Sequence, residues 1–344
     1  MLKYSSIKIY VLSCMLASKF SGCSKNISLN NENQSEPDLE KINEHVLDPK
    51  TPENNKKQPT PNMSINQSSN NSPFVGLQNR GNTCFLNTAL QILHRVMPDA
   101  FDGGASEVHK TGKIIFDKMT VKTSVSNEEL DSFYDACYDV VKHGTHQLFN
   151  TKGAQHDSLL FLQSLTAHLC GDEITSNIDL IQKSKCSNCN LADEFDLNYL
   201  NGIARPTYTL THKDFFVFNV NSECACKFVG NCVIVNKAKT WPELAFFLVQ
   251  RSDANYTEKV SFKNYKQVTT EPEWCVDGKA NANYRLIAIM WTSSNGTAGH
   301  YMAYILDKSS QKWYCCNDSS VSEQTSSQID EAVKHAKMLV YEKI

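Results

Sequence analysis

Residues 76–87 read GLQNRGNTCFLN and decide the fold and the chemistry of this chain. A glycine-bounded loop leads into a helical pattern and places Cys84 in the first helical turn. Free backbone N–H groups and the positive end of the helix dipole stabilise a thiolate there, the nucleophilic form of cysteine. The same N–H groups, with the side-chain amide of Asn79 or Asn82, can donate hydrogen bonds to the oxyanion of a tetrahedral intermediate. The pattern predicts a nucleophile, although a buried cysteine at a helix start would look the same.

The apolar pattern changes from helical to strand-like along the chain. Residues 83–96 and 158–169 carry apolar side chains at helical spacing, with Asn82 or Thr83 as the first N-cap. Short runs rich in aromatic and β-branched residues predict strands at 214–220, 244–249, 284–291, 300–306 and 312–316. Helices followed by strands indicate an α+β fold.

A cysteine nucleophile needs a base, and the base needs an acceptor on its other ring nitrogen. Near the C-terminus, His300 opens an apolar strand, and the next strand ends in Asn317 and Asp318. A hairpin of these strands would set the imidazole beside one of those two side chains. A lone histidine is more often structural than catalytic, so the flanking residues are the reason to choose His300 among ten histidines.

Five motifs, in this order, resemble those of the ubiquitin-specific proteases, a papain-like family that removes ubiquitin from proteins. They are a cysteine box at 76–91, a helix box at 155–162, a strand motif at 242–251, a histidine box at 284–304 and a final motif at 313–321. The resemblance covers essentially all of residues 74–344. Any one of these motifs is weak, whereas the ordered set is specific.

The resemblance implies a papain-like α+β fold with a helical thumb and antiparallel β palm and fingers. It assigns Cys84 as nucleophile, His300 as general base and Asn317 as the residue that orients the base. Asp318 is a substitute for Asn317 or a polar helper. Asn79 would donate to the oxyanion, with Asn82 as the second candidate. No cofactor is expected for catalysis.

The matched motifs also imply a substrate cleft, lined by Gln155, Asp157, Gly299 and Tyr301. The chain departs from the family pattern within the helix box. An acidic residue is usual where Leu160 stands, and glutamine is usual where His156 stands. These departures leave the proposed triad intact and affect finer substrate contacts.

Two cysteine pairs suggest a structural zinc site in the fingers. Cys186 and Cys189 are separated by two residues, and Cys224 and Cys226 by one. Four thiolates close a tetrahedral zinc site, and the resemblance implies a zinc ribbon at this point of the chain. The narrow second spacing and the nearby Cys232 leave open a degenerate ribbon whose thiols are only packed.

The N-terminal part differs in composition from the remainder. Residues 1–23 carry lysines and then a short apolar stretch, the layout of an export signal, with Cys23 as a lipid anchor if the signal is of the lipoprotein type. The stretch is too short to span a bilayer. Residues 24–72 are polar and predict a disordered linker, which leaves 73–344 as the catalytic domain.

Composition narrows the class of partner. The formal net charge of -3 and the lack of a basic stripe argue against nucleic acid. Thirteen irregularly spaced cysteines do not form a disulfide framework. The partners expected are ubiquitin and ubiquitin-conjugated proteins.

Three functions are compatible with these observations. The leading one is a thiol-dependent deubiquitinase that hydrolyses the isopeptide bond after the ubiquitin C-terminus. The alternatives are a protease for Nedd8 or SUMO, and an inactive ubiquitin-binding module. The leader predicts an exported or secreted bacterial protein that acts in a host cell, with a membrane-anchored lipoprotein or a cytoplasmic enzyme as alternatives.

Overall fold

A computed structural model describes most of the predicted catalytic domain. The described residues are 72–141, 152–170, 180–186, 192–197, 200–204, 209–210, 217–223, 229–238, 241–251, 259, 261–270, 281–294 and 299–344. All of them belong to one compact unit, Ile65–Ile344. For the strands between residues 180 and 236, only the backbone pairing is described. The predicted leader and nearly all of the linker lie outside these ranges, so export and the lipid anchor at Cys23 stay predictions.

The helices occur in the first half of the domain, except for one near its end. They are α1 (Cys84–Val96), α2 (Glu107–Thr120), α3 (Asn127–Val141), α4 (Ser158–Cys170) and α5 (Ser326–Val333). The predicted helices at 83–96 and 158–169 are confirmed as α1 and α4. Among the described residues, the helices lack a segment of the length and apolarity that crossing a bilayer requires.

The main sheet occupies the second half of the domain. Its strands are β3 (Leu200–Ala204), β7 (Leu244–Arg251), β9 (Gln267–Thr269), β10 (Asn283–Ser294), β11 (Gly299–Leu306), β12 (Trp313–Asn317), β13 (Ser320–Gln324) and β14 (Ala336–Lys343). They lie in the order β13-β12-β11-β10-β14-β7-β3, and β9 also pairs with β10. All pairs are antiparallel except the parallel pair of β3 and β7. The predicted strands at 244–249, 284–291, 300–306 and 312–316 are confirmed as β7, β10, β11 and β12.

A second, four-stranded sheet is antiparallel throughout. It contains β1 (Leu180–Cys186), β2 (Ala192–Leu197), β5 (Val217–Glu223) and β6 (Val229–Ala238), in the order β2-β1-β6-β5. The predicted strand at 214–220 corresponds to β5, which is described from Val217 onward. A short parallel pair joins β4 (Thr209–Leu210) to β8 (Ser261–Phe262).

The main sheet has an apolar core on each face, because successive side chains along a strand point to opposite faces of the sheet. In β11, Tyr301, Ala303 and Ile305 belong to the core built with α1 to α4. Met302 and Tyr304 belong to the core built with α5 and β9. The helix that carries the candidate nucleophile is thus packed on the sheet that carries the candidate base. The α+β fold with helical thumb, β palm and β fingers is the one expected.

The α1 helix is buried along most of its length, from Cys84 to Leu93. Phe85 is fully buried, and its ring meets that of Phe161 in α4 edge to face, with centroids 5.4 Å apart. Aromatic edge-to-face pairs add about 0.5–1.5 kcal/mol beyond the area they bury. This packing fixes the axis of α1 and therefore the position of its first turn.

We expect Ile289→Ala to lower the free energy of unfolding by about 2–5 kcal/mol, because it removes buried methyl groups and leaves a cavity. Ile289 lies in β10 and is fully buried. The matched control is Ile114→Ala in α2, whose side chain is 46% exposed; a surface change of this kind shifts stability by about 0.5 kcal/mol or less. Chemical denaturation measures both. Equal losses for the two variants would contradict the assignment of the core.

Candidate active site

Cys84 is the first residue of α1, and its environment suits a thiolate. Thr83 is the N-cap residue, but its side chain does not cap the helix. Its hydroxyl instead accepts a hydrogen bond of 2.8 Å from the backbone N–H of Arg80. The first turn carries no acidic residue. The positive end of the helix dipole therefore acts on the thiol without an acidic residue of the same turn to oppose it. The prediction of Thr83 as N-cap is right in position, although the hydroxyl bonds to the loop.

The loop before Cys84 is closed by the amide of Asn79. Its Oδ1 accepts hydrogen bonds from the N–H groups of Gly81 at 3.0 Å and Thr83 at 3.2 Å. Gly81 and Asn82 adopt consecutive left-handed conformations, with φ of 89° and 58°. Glycine and asparagine are the residues that tolerate this region best, which explains the Gly-Asn pair in the sequence. The reversal delivers the chain into the helix at Cys84.

The imidazole of His300 joins the helix to the sheet. Its Nε2 lies 2.6 Å from Oδ1 of Asn317. A carbonyl oxygen only accepts, so Nε2 carries the proton and Nδ1 is the atom left for the thiol. The thiol of Cys84 is close enough to the same imidazole to raise its pKa. The structure thus brings together the three side chains that the sequence assigns to the triad.

These contacts raise the pKa of His300 to about 9. The hydrogen bond with Cys84 is the largest cause, the hydrogen bond with Asn317 adds to it, and partial burial opposes both. The negative charge of Asp318 also raises the pKa slightly. The imidazole is therefore protonated at neutral pH, which is the partner that a thiolate requires.

Asp318 binds the cysteine loop, whereas Asn317 binds the imidazole. One carboxylate oxygen accepts from Nδ2 of Asn79 at 3.0 Å, and the other from Nδ2 of Asn87 at 2.8 Å. Its backbone oxygen accepts from the N–H of Leu77 at 2.9 Å. Asp318 has a positive φ of 50°, which turns the chain back toward the loop. Of the two roles expected for Asp318, the contacts match the polar helper.

Asn87 is a member of the site that the sequence reasoning missed. It is 2% exposed, and its amide also donates to the carbonyl of Leu77 at 3.1 Å. Its position three residues after Cys84 places both on one side of α1, a signal that was available in the sequence. A buried asparagine needs polar partners, and Nδ2 of Asn87 finds them in the loop and in Asp318.

The two candidate oxyanion donors both take part in loop contacts. One N–H of the Asn79 amide is used by Asp318. Nδ2 of Asn82 donates to the carbonyl of Gly153 at 3.0 Å. Each primary amide has a second N–H, so these bonds are compatible with donation to an oxyanion. The assignment of Asn79, with Asn82 as the second candidate, stays a prediction.

Among the predicted cleft residues, Gln155 contacts Gly299 directly. Its Nε2 donates to the carbonyl of Gly299, and its Oε1 accepts from the N–H of Gly299 at 3.2 Å. Tyr301 is only 8% exposed and belongs to the core beneath α1. Cys84 belongs to the same core, so the expected place of Tyr301 in the cleft stays a prediction.

Asp157 is tied into the protein at both carboxylate oxygens. Oδ1 caps α4 by accepting from the N–H groups of Leu159 at 2.9 Å and Leu160 at 3.2 Å. Oδ2 pairs with the ammonium of Lys337, whose side chain is 8% exposed. The sequence did not reveal Lys337 because it lies in the apolar strand β14, far along the chain from Asp157.

The predicted zinc ligands fall at the limit of the described residues. Cys186 is the last residue of β1, while Cys189, Cys224 and Cys226 lie outside the described ranges. Within those ranges, three or more histidine, cysteine or acidic side chains are nowhere grouped as a metal site.

A family model described as ubiquitin carboxyl-terminal hydrolase matches residues 75–341. The chain belongs to this family. The match spans the loop, the helices and both sheets described above. A ubiquitin carboxyl-terminal hydrolase with a cysteine at this position is a cysteine-type deubiquitinase, so the chain is an enzyme of that class.

Solved structures with the same fold come from the SAGA DUB module, which contains Ubp8, Sgf11, Sus1 and Sgf73. The module bound to monoubiquitin matches with a TM-score of 0.59 and 15% identity, covering 79% of this chain and 69% of the other. The module bound to ubiquitin aldehyde matches with a TM-score of 0.57 and 14% identity, covering 79% and 70%. No curated protein sequence matched this chain. At these identities the matches show the fold alone.

We expect an NMR titration to give His300 a pKa of about 9 in the wild-type protein. The pKa should fall in Cys84→Ala and fall less in Asn317→Ala, in the order of the two causes. Because the folded-state pKa lies above the ordinary value of 6.5, the contact contributes stability fully below pH 6.5 and loses it as the pH rises through about 9.

The advantage of wild type over Cys84→Ala in free energy of unfolding should therefore shrink across that pH window. A His300 pKa that is the same in both proteins would show that the thiol does not bond to the imidazole.

Proposed function

We propose that this protein is a thiol-dependent deubiquitinase that hydrolyses the isopeptide bond after the C-terminus of ubiquitin through Cys84, His300 and Asn317. The observation that supports the proposal is the imidazole of His300, whose Nε2 bonds to Oδ1 of Asn317 and whose pKa is raised by the thiol of Cys84. Nucleophile, base and orienting group form one connected chain, which is the arrangement that cysteine proteases require. A module that only binds ubiquitin has no need of it.

The proposed reaction starts from a protonated His300 beside the sulfur of Cys84. The thiolate of Cys84 attacks the carbonyl carbon of the last ubiquitin residue, and the oxygen of that carbonyl takes up the negative charge. The imidazolium of His300 gives its proton to the departing lysine amine as the carbon–nitrogen bond breaks. Water, deprotonated by the now neutral imidazole, then hydrolyses the thioester, which releases ubiquitin and restores the thiol.

Asn317 supports both steps without changing charge. Its Oδ1 holds the Nε2–H of the imidazole and so keeps Nδ1 directed at the thiol. A neutral amide is sufficient here because the imidazolium is already stabilised by the thiolate. The N–H groups of the α1 first turn are candidate donors to the developing oxyanion, with the amide of Asn79 as the side-chain candidate.

We expect Cys84→Ala to abolish cleavage of a fluorogenic ubiquitin conjugate, since the attacking sulfur is gone. Ubiquitin binding should persist, because the substitution leaves the docking surface unchanged. Turnover and calorimetric binding measure the two properties. The matched control is Cys137→Ala, which removes another buried thiol from α3 and should retain turnover. Residual cleavage by Cys84→Ala at the wild-type rate would refute the assignment.

A panel of modifiers with a C-terminal electrophile separates the three candidate functions. Labelling of Cys84 by the ubiquitin probe supports the proposal. Labelling by a Nedd8 or SUMO probe alone identifies a protease for that modifier. Binding of ubiquitin with no labelling by any probe identifies an inactive binding module. Labelling should be lost in Cys84→Ala and kept in Cys137→Ala.

We also propose a structural zinc ion held by Cys186, Cys189, Cys224 and Cys226. The strands β1 and β5 each pair antiparallel with β6, so they run in the same direction. Cys186 ends β1, and β5 ends at Glu223, one residue before Cys224. The strands β1 and β5 therefore end at the same end of one sheet, and the remaining three cysteines come soon after these strands in sequence. Four thiolates are the donor set that tetrahedral zinc prefers.

We expect about one zinc ion per chain in metal analysis of the purified protein, and loss of the zinc in a Cys186→Ser, Cys189→Ser double variant. Cys232 pairs in register with Cys186 on the adjacent strand, which makes Cys232→Ser the informative control. Zinc retained in Cys232→Ser supports the four proposed ligands. Zinc lost in that variant, or absent from the wild type, contradicts them.

A further inference from the structure

We propose that Gln155 is a positioning residue for the base, because its amide takes the place of a missing strand beside Gly299. The inference rests on the proposed function in assigning His300 as the base. It differs from a role in substrate binding, which the sequence suggested for Gln155. In this proposal the side chain of Gln155 positions His300 even when no substrate is bound.

The start of β11 has no strand beside it on the β12 side, within the described strands. The pairing of β11 with β12 runs from Leu306 opposite Trp313 to Ala303 opposite Cys316 and then stops. The N–H of Asp307 donates to the carbonyl of Lys312 in the hairpin. Backbone groups alternate direction along a strand, so the odd-numbered residues of β11 face β12, and Gly299 is one of them. Its N–H and carbonyl would thus be left without a ladder partner.

Gln155 supplies that partner. A glutamine amide carries one donor group and one acceptor, as a peptide group does. Nε2 of Gln155 donates to the carbonyl of Gly299, and Oε1 accepts from its N–H at 3.2 Å. The side chain therefore makes the two hydrogen bonds that a neighbouring strand would make. It does so at the residue immediately before His300.

The segment that carries Gln155 is itself anchored to the elements of the nucleophile. The carbonyl of Gly153 accepts from Asn82 at 3.0 Å, and the N–H of Gly153 donates to the hydroxyl of Tyr134 at 3.1 Å. The hydroxyl of Ser158 donates to the carbonyl of Phe85 in α1 at 2.8 Å. Gln155 thus links the segment fixed against the helix to the strand that bears the base.

The consequence is geometric. β10 still holds the other edge of β11, with Ser293 opposite His300 and Ser294 opposite Gly299. Loss of the Gln155 amide frees the β12-facing edge at the strand end, where fraying begins. A displacement of about 1 Å between reacting groups costs on the order of 100-fold in rate. Such a displacement of the strand end would move the imidazole of His300 away from the thiol of Cys84.

The test uses the full-length protein and two variants that remove the bridge in different ways. Gln155→Met keeps the length of the side chain and removes both hydrogen bonds. Gln155→Asn keeps the amide but shortens its reach by one methylene group. Gln267→Ala, an exposed glutamine in β9, is the matched control. Thermal unfolding identifies any variant that fails to fold, and the remaining variant then decides the outcome.

We expect both Gln155 variants to lower kcat about 10- to 100-fold for a fluorogenic ubiquitin conjugate, with KM unchanged. Ubiquitin affinity measured in a Cys84→Ala background should be the same with and without the Gln155 change. In the free enzyme, the pH midpoint for alkylation of Cys84 by iodoacetamide should move upward, because a displaced imidazolium stabilises the thiolate less. Gln267→Ala should match the wild type in all three measurements.

An unchanged alkylation midpoint with a raised KM and weaker ubiquitin binding would overturn the inference and make Gln155 a substrate contact. Unchanged kcat and an unchanged midpoint would overturn it as well. If the wild type does not cleave ubiquitin conjugates, the proposed function fails, yet the alkylation profile still tests the position of His300. The two failures are therefore distinguishable.

Discussion

The contact between the thiol of Cys84 and the imidazole of His300 is the constraint on which the rest of the structure depends. One group is on the first turn of α1 and the other at the start of β11, so neither local sequence nor one element can set their separation. A thiolate–imidazolium pair needs both groups within hydrogen-bond reach. The fold meets this need by packing the helix on the sheet and then fixing the two ends with polar side chains.

Apolar burial and polar contacts contribute differently to this arrangement. A fully buried side chain such as Phe85 or Ile305 contributes about 1.5–3 kcal/mol, and both cores contain many such residues. A single hydrogen bond contributes about 0.5–1.5 kcal/mol net. Burial therefore supplies most of the stability. The hydrogen bonds of Asp318 and Gln155 select one register of loop against strand among those that the cores would tolerate.

Contacts within a local sequence pattern could be predicted, whereas contacts between residues far apart in the sequence could not. Cys84, His300 and Asn317 were identifiable because each lies in a local pattern with chemical meaning, a loop before a helix or the ends of a hairpin. The partners of Asp157 and Asp318 were harder to identify, because Lys337 and Asn87 lie far from these carboxylates along the chain and no local pattern links them. The buried Lys337 in β14 pairs with the carboxylate of Asp157, and only the fold brings the two together.

The sequence by itself determined the α+β fold, the helix that presents the thiol, the strands that present the imidazole and its acceptor, and the family. It could do so because helical and strand periodicity, caps and turns are local properties of the chain. Only the tertiary structure decided that Asp318 holds the cysteine loop and that Gln155 completes the edge of β11. These choices depend on which side of a strand faces a distant segment, and that is fixed only when the two cores close on the sheet.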